Sequence, residues 1–353
     1  MQNLVQKIKF LITFGNNFNF IINLIREENA KPLEENNKKF LKKISHYYLG
    51  SNFYSFGEKN KKKIFYIIKR SPGAGFFSNL NYVLHSLLIC KKKNYVPIID
   101  MQNFKTIYNE KTKISFSNNC WEYYFKKINR YKLEEVYKSK NVIIPEKEIN
   151  LEIDISNLIF SNLKIKIKIK NKIIRIFKKF EKKNFFKNDK ILGIHLRGTS
   201  YKTAAGHAFP PTEKLMSEFI DNLLVKHNYN KIFLITEEKK YLYFFKKKYP
   251  NLYFYKNTYR SDKNDAFIKY PRNRHRYKLG LESIIEALIL SRCDGLAYIK
   301  SNLISAAIFF SKKKQIKHEI FLGYNSRKKF ISRWLWFLKR ALPKKFGGLK
   351  ILN

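Results

Sequence analysis

The chain has 353 residues, 44% of them hydrophobic, and a formal net charge of +45. A length beyond the reach of one hydrophobic core predicts two domains. Arg supplies 13 of the 72 basic residues, and the abundant Lys travels with Asn, Ile, Tyr and Phe, all specified by AT-rich codons. The charge therefore argues against a specific nucleic-acid reader, which needs Arg forks on phosphate and guanine. Three widely spaced cysteines, odd in number, exclude a disulfide framework and a zinc site and fit a reducing cytoplasm.

In chain order, the N-terminal MQNLVQKIKFLITFGNNFNFIINLIREE reads as an amphipathic helix broken near Gly15. Its apolar run is too short to span a bilayer, and no small-residue cleavage site follows it. Residues 58 to 63, EKNKKK, precede a strand over Ile64–Lys69 that ends at Ser71-Pro72-Gly73-Ala74-Gly75. Leu80, Val83, Leu84, Leu87 and Leu88 then recur at helical spacing, and YVPIID is a second strand. This β-turn-α-β unit predicts an α/β domain with parallel strands.

Further on, LKIKIKIKNK alternates Lys and Ile, as an exposed edge strand or a compositionally biased solvated face would. A helical Ile/Phe pattern follows, and EKKNFFKNDK reads as a connection, placing the domain boundary near Lys187: an N-terminal acceptor-side domain over 1–187 and a C-terminal nucleotide-sugar domain over 188–353. The second domain alternates strands (ILGIHL, KIFLIT, LYFYKN, GLAYIK) with helices (PTEKLMSEFIDNLLVKH, EKKYLYFFKKKY, LGLESIIEALILSRC, SNLISAAIFFSK). That is a Rossmann-like half. Two such halves facing a cleft make the GT-B architecture, the fold class expected here, and no internal repeat is visible.

In open parallel sheets, ligands bind at the carboxyl ends of strands. Strand ILGIHL ends at His195-Leu196-Arg197, and alternation puts His195 and Arg197 on one face with Leu196 opposite. Arg197 suits bidentate contact with a phosphate, and Gly198 lets the backbone approach. Thr199, Ser200, Tyr201 and Lys202 add hydroxyl and ammonium donors. The set is shaped for a diphosphate, and it is not a P-loop, because GxxxxGK[ST] is absent. His207, just before the Phe209-Pro210-Pro211-Thr212 helix entry, is a second polar wall or an acid/base. The bland alternative for these residues is a strand-end His satisfied locally and an Arg in a surface ion pair.

HLRGTSY followed by GHAFPPT resembles the first signature of the superfamily of α-1,2-, α-1,6- and protein O-fucosyltransferases, particularly bacterial members related to nodulation fucosyltransferases. The resemblance implies that Arg197 contacts the β-phosphate of GDP-fucose and is needed for transfer, with His195 beside it. ALILSRCDGLAYIKSNLISAA, Ala287 to Ala307, resembles the family's helix-strand-Ser-Ser block, which implies diphosphate contacts from Ser301 and from Asn302 in place of the second Ser. Glu286 stands where the family has an Asp that reads guanine, a task a carboxylate can perform on N1 and N2 hydrogens. KIFLITEE resembles a strand ending near the ribose, which implies roles for Thr236 and Glu237. SPGAGFFSN resembles the family's Gly-rich loop, carried here by Gly73, Gly75 and Asn79, the last at the reaction centre.

The resulting expectation is an inverting, metal-independent glycosyltransferase that moves L-fucose from GDP-fucose to a glycan hydroxyl in bacterial surface polysaccharide or lipopolysaccharide synthesis, with no cofactor besides the donor substrate. Arg197 and Lys202 would stabilise the departing GDP, and His207 is the residue able to accept a proton. The alternative is a non-catalytic basic protein that binds nucleic acid or anionic membrane, for which the YPRNRHRYK loop offers Arg272, Arg274, His275 and Arg276. The tail, residues 327–353, mixes Trp334, Trp336, Phe337, Leu338 and Leu342 with Arg333, Lys339 and Arg340. It either lies on a membrane, helped by Lys328 and Lys329 and bringing a cytoplasmic enzyme to a lipid-linked acceptor at the inner membrane face, or packs its Trp side chains back on the protein.

Overall fold

A computed structural model describes residues 47–50, 53–70, 73–145, 167–263, 265–343 and 346–350. The expected N-terminal helix and most of the Lys/Ile alternation lie outside the described residues. The described chain forms two compact units, one of residues 47–176 with 270–284, the other of 177–269 with 285–350. The chain thus passes between units at Phe177 rather than near Lys187, and it returns once more before entering the second unit for good.

The first unit holds a five-stranded sheet ordered β1-β2-β5-β3-β4. Its strands are β1 (Tyr47–Gly50), β2 (Phe53–Ser55), β3 (Lys59–Ile68), β4 (Val96–Ile99) and β5 (Ser139–Ile143). β3 pairs in parallel with both β4 and β5, and β1 and β2 add an antiparallel edge. The EKNKKK stretch belongs largely to β3, where a register shift between Lys59 and Ile64 lets its exposed lysines run along β5. Polar composition hid this half of the strand from the sequence. β4 is an edge strand, which is why it accommodates Pro97 and its missing N–H.

Helix α1 (Phe76–Lys93) starts at Gly75 and stops at Asn94, whose left-handed backbone closes the last turn. The short α2 (Trp121–Tyr124) and α3 (Leu133–Val136) follow, then α4 (Asn171–Asn184), along which the chain changes units. The last residues of the Lys/Ile alternation make a single antiparallel bridge, Phe125 to Ile169.

The second unit is a parallel sheet of β6 (Ile191–Leu196), β7 (Lys231–Thr236), β8 (Leu252–Tyr253), β9 (Gly295–Tyr298) and β10 (Ile316–Glu319). The spatial order is β10-β9-β6-β7-β8 with every pairing parallel. Read from β8, the strands run third, second, first, fourth, fifth, the Rossmann order, so the direction of winding reverses between β6 and β9. The connecting helices are α5 (Glu213–His227), α6 (Lys239–Lys248), α7 (His275–Leu290) and α8 (Asn302–Phe310), with α9 (Lys329–Ala341) at the C-terminal end. Leu192, Ile194 and Leu196 of the wholly buried β6 pack with Met216, Ile220 and Phe245 of α5 and α6. Each such side chain contributes about 1.5–3 kcal/mol by leaving water.

The expected α/β class is thus observed in both units. Three details differ. The LYFYKN strand is only two residues long, because the chain turns at Phe254–Thr258. Helix α7 begins at His275, so Arg276 is helical instead of lying in a loop. β10 was not expected, since its IKHE sequence is largely exposed at the sheet edge and carries no apolar run.

Candidate nucleotide-sugar site

Two loops meet where the winding of the second sheet reverses. The end of β6 gives His195 and the loop after it gives Arg197 and Gly198; after β9 the chain gives Ser301 at the N-cap of α8. His195 is fully buried, and its Nδ1 lies 3.2 Å from Ser301 Oγ, so one hydrogen bond spans the reversal. Burial, with the Arg197 charge adding to it, holds the imidazole pKa down to about 3, and the ring is neutral. Ser301 Oγ also accepts from the Ile304 N–H, capping α8. Ser301 is therefore engaged on both sides, whereas Asn302 is exposed at the helix start. The first-turn N–H groups of α8 and its positive dipole end make this a favourable place for an anion.

Arg197 stands two residues beyond His195 on the same strand face, and its side chain is about one-third exposed. Its Nε lies 3.3 Å from Glu237 Oε1, one Nη donates to Ser200 Oγ at 3.0 Å, and the guanidinium sits 4.8 Å from the centre of the Tyr201 ring. Tyr201 in turn contacts the imidazole of His207, ring centres 4.7 Å apart. His207 is exposed, and partial desolvation and the nearby Arg197 lower its pKa from the ordinary value. It stays neutral and able to accept a proton at pH 7.

Gly198 leaves no room for a side chain unless Glu238 moves: a Cβ there would sit 1.8 Å from Glu238 Oε2. Its N–H donates to Glu237 Oε1 at 3.0 Å, which ties the loop after β6 to the loop after β7. Thr236 is buried and turns its hydroxyl to the Glu238 N–H, 3.2 Å away, capping its own loop. Thr199 lies in the turn that follows Gly198.

Lys202 is placed otherwise than its sequence context suggested. Its ammonium donates to both oxygens of buried Glu238 at 2.6 and 2.8 Å and lies over the rings of Tyr241 and Trp336. It is a clamp inside the unit rather than an open donor. Glu238 was not singled out by sequence, although it follows Glu237 directly at the end of β7. Glu286 is also committed: it accepts from Thr258 Oγ1 at 2.7 Å and pairs with Arg260 at 3.7 Å, both side chains buried. Arg260 donates to the carbonyls of Thr236, Thr258 and Tyr255, each at 3.1 Å, and so holds the 254–260 turn against the end of β7.

In the first unit, Gly73 adopts φ +93°, a conformation that only glycine takes without strain. Gly75 caps α1, and Asn79, one turn into that helix, is buried with its Oδ1 accepting from Arg70 Nε at 3.2 Å. Arg70 also donates to Ser78 and lies over the Tyr82 ring. The Gly-rich loop is therefore preceded by a half-buried cation that sequence reading missed, one residue before the loop begins. Arg272, offered by the basic-loop alternative, forms a two-pronged pair with Glu282 at 2.5 and 3.0 Å and is not an open phosphate contact.

The tail divides by face. Trp336 is buried, donates its indole N–H to Pro210 O at 2.8 Å and packs with Phe209 and Leu349. Phe330, Trp334 and Leu338, on the opposite stripe of α9, are exposed at 74%, 54% and 60%. The expectation that a Trp side chain packs back on the protein is thus met by Trp336, while the other stripe stays exposed. Among the described residues no helix is long and apolar enough to cross a membrane, and the cysteines are all buried.

No family model and no curated protein sequence matches the chain. Among solved structures, the fucosyltransferase NodZ from Bradyrhizobium is 17% identical, over 71% of this chain and 94% of its own, with a TM-score of 0.47. NodZ α-1,6-fucosyltransferase soaked with GDP-fucose is 16% identical, over 70% and 93%, with a TM-score of 0.46. POFUT1 in complex with GDP-fucose is 10% identical, over 51% and 53%, with a TM-score of 0.32. These are fucosyltransferases, the class whose motifs the HLRGTSY and SNLISAA segments resemble. At such identities no residue role passes from them to this chain.

Proposed function

We propose that the chain is a GDP-fucose-dependent fucosyltransferase that moves L-fucose to a glycan hydroxyl. The observation that carries this is the His195–Ser301 bond across the winding reversal of a Rossmann-ordered sheet, with Arg197 next in line and the start of α8 beside it. That is where such sheets bind nucleotides. Glu237 would exchange its hold on Arg197 for the ribose hydroxyls once a diphosphate arrives, leaving the guanidinium fork for the β-phosphate. Gly198, Thr199, Tyr201 and Asn302 complete the diphosphate surroundings, and Glu286 with Thr236 forms the nucleoside side of the pocket. The Gly73–Gly75 turn and Asn79 belong to the acceptor-side unit of the GT-B reading.

In the reaction the bond from fucose C1 to the diphosphate oxygen breaks and the acceptor oxygen bonds to C1 from the opposite face, inverting the centre. GDP departs with the electron pair, and its charge falls to Arg197. The hydroxyl proton goes to His207, which partial burial and the Arg197 charge keep unprotonated. The charge stabilisation is supplied by Arg197 and backbone N–H groups, without a metal. The exposed stripe of α9 and its cations suit the inner face of a cytoplasmic membrane and a lipid-linked acceptor, as bacterial surface polysaccharide synthesis requires.

The test is product formation. Purified protein, GDP-fucose and a glycan acceptor in excess EDTA should release GDP and yield a fucoside of inverted anomeric configuration by NMR. No GDP release would sink the transferase reading, and release restored only by Mn²⁺ or Mg²⁺ would sink the metal-independent mechanism.

A further inference from the structure

Of the four residues that the basic YPRNRHRYK stretch offers, three are committed inside the protein. Arg272 is paired with Glu282, buried His275 accepts from Arg272 Nε at 3.1 Å, and Arg276 lies over the Tyr270 ring, 5.3 Å from its centre. Arg274 is the remainder. It is exposed, directly precedes α7, and its guanidinium makes no hydrogen bond or ion pair to the described residues. Its backbone is held at φ 53°, a left-handed conformation that is costly for a residue with a Cβ and that concentrates at functional sites.

Two lysines from another part of the first unit join it. Lys172, in the first turn of α4, donates from Nζ to Ser115 Oγ at 2.7 Å, at the tip of a hairpin closed by reciprocal Ile114 and Ser117 backbone bonds of 3.0 and 3.1 Å. The same ammonium stands 5.3 Å from the centre of the Tyr277 ring, which is itself stacked on buried Tyr124 at 5.6 Å. Lys172 is thus fixed beside the start of α7. Lys170 is half-buried, and its ammonium has no hydrogen-bond or ion-pair partner among the described residues. Partial desolvation, then the charges of Lys170 and Arg274, lower the Lys172 pKa, as expected where like charges are gathered without a counterion. Desolvation lowers Lys170 too, although Glu122 offsets part of its charge. The carboxylates at hand are engaged: Glu110 accepts from the Tyr277 N–H at 2.8 Å and Glu122 from Ser117 Oγ at 3.0 Å. No acidic residue lies in the first turn of α4 or α7. Lysines are scattered over the whole surface of a chain of net charge +45, but here three cations from distant segments converge around one aromatic ring.

We propose that Lys170, Lys172 and Arg274 form a site for a small tetrahedral oxyanion, a phosphate ion or phosphate monoester. The planar guanidinium suits two oxygens of such a group, and the ammoniums and the Ser115 hydroxyl suit the others. The site lies within the first unit and does not depend on the fucosyl-transfer reading, so it is tested without any nucleotide sugar. The full-length protein is titrated by calorimetry with inorganic phosphate and with glycerol 3-phosphate, at fixed ionic strength in chloride. The expected result is saturable 1:1 binding of at least one probe, retained in Arg197→Ala and weakened at least about tenfold in Arg274→Asn and in Lys172→Met. Tighter binding of inorganic phosphate identifies a site for the free ion, and tighter binding of glycerol 3-phosphate a site for an esterified phosphate. Asn tolerates left-handed backbone and Met keeps the apolar stem over Tyr277, so both variants should retain the far-ultraviolet dichroism of the parent. In phosphate-free buffer Arg274→Asn should melt no lower than the parent, because it removes one of three like charges. Absence of saturable binding to both probes, binding unchanged in Arg274→Asn, or binding lost in Arg197→Ala alone would each overturn the proposal.

Discussion

His195 and Ser301, 106 residues apart in the chain, meet at 3.2 Å and join the two loops between which the second sheet reverses its winding. The imidazole lies in a buried site beside the Arg197 charge, which holds its pKa down to about 3 and keeps it neutral. The unfolded chain takes up that proton near the ordinary histidine value, so below about pH 6.5 the unfolded state binds one proton more than the folded state. Stability is complete above that pH and falls as acid is added, with a slope approaching about 1.4 kcal/mol per pH unit down towards pH 3. Urea unfolding between pH 4 and 8 should show this slope, and His195→Asn should flatten it. An identical slope in the variant would remove the assignment.

The Lys202–Glu238 pair predicts a stability defect rather than a catalytic one. Glu238 is 3% exposed and Lys202 16%, and removing one partner strands the other charge, at a cost of about 3–5 kcal/mol. Lys202→Ala should therefore unfold at clearly lower urea than the parent, and the double variant Lys202→Met with Glu238→Leu should recover most of the loss. If Lys202→Ala keeps full stability and loses only turnover, the ammonium serves the substrate after all.

The framework of the second unit was legible in the sequence because β6, β7 and β9 are buried runs of Ile, Leu and Val-like residues with capped helices between them. Alternation along β6 correctly set His195 and Arg197 against Leu196. What stayed hidden has a common physical origin: contacts between residues distant in the chain. Lys202 looked like an open donor because Glu238 lies 36 residues away, and Glu286 looked free because Arg260 and Thr258 reach it only through a turn. β10 and the lysine-rich half of β3 were hidden by exposure, since a solvated edge needs no apolar pattern.

The two faces of α9 predict separable outcomes on lipid. Phe330, Trp334 and Leu338 form an exposed stripe flanked by Lys329, Arg333 and Lys339, and each surface cation adds about 1 kcal/mol of attraction to an anionic leaflet. Protein should float with vesicles rich in phosphatidylglycerol and remain soluble with phosphatidylcholine. Replacing the three apolar residues by Ser should abolish flotation without lowering the melting temperature, since Trp336 keeps the inner contact with Pro210. Flotation that survives the triple substitution would assign lipid binding elsewhere. Truncation before Arg327 is the poorer experiment, because it also uncovers Phe209.

The central claim is that the end of β6 receives the diphosphate of GDP-fucose, and calorimetric titration tests it most directly. GDP and GDP-fucose should bind the parent protein with 1:1 stoichiometry in EDTA, and UDP-sugars should not. Arg197→Ala should fold as the parent does, since its ion pair with Glu237 is partly exposed and worth at most about 1 kcal/mol. It should nevertheless bind GDP more weakly and lose on the order of 10²-fold or more in transfer rate. Absence of GDP binding in a folded parent, or an Arg197→Ala variant that binds and transfers at the parent's level, would contradict the account.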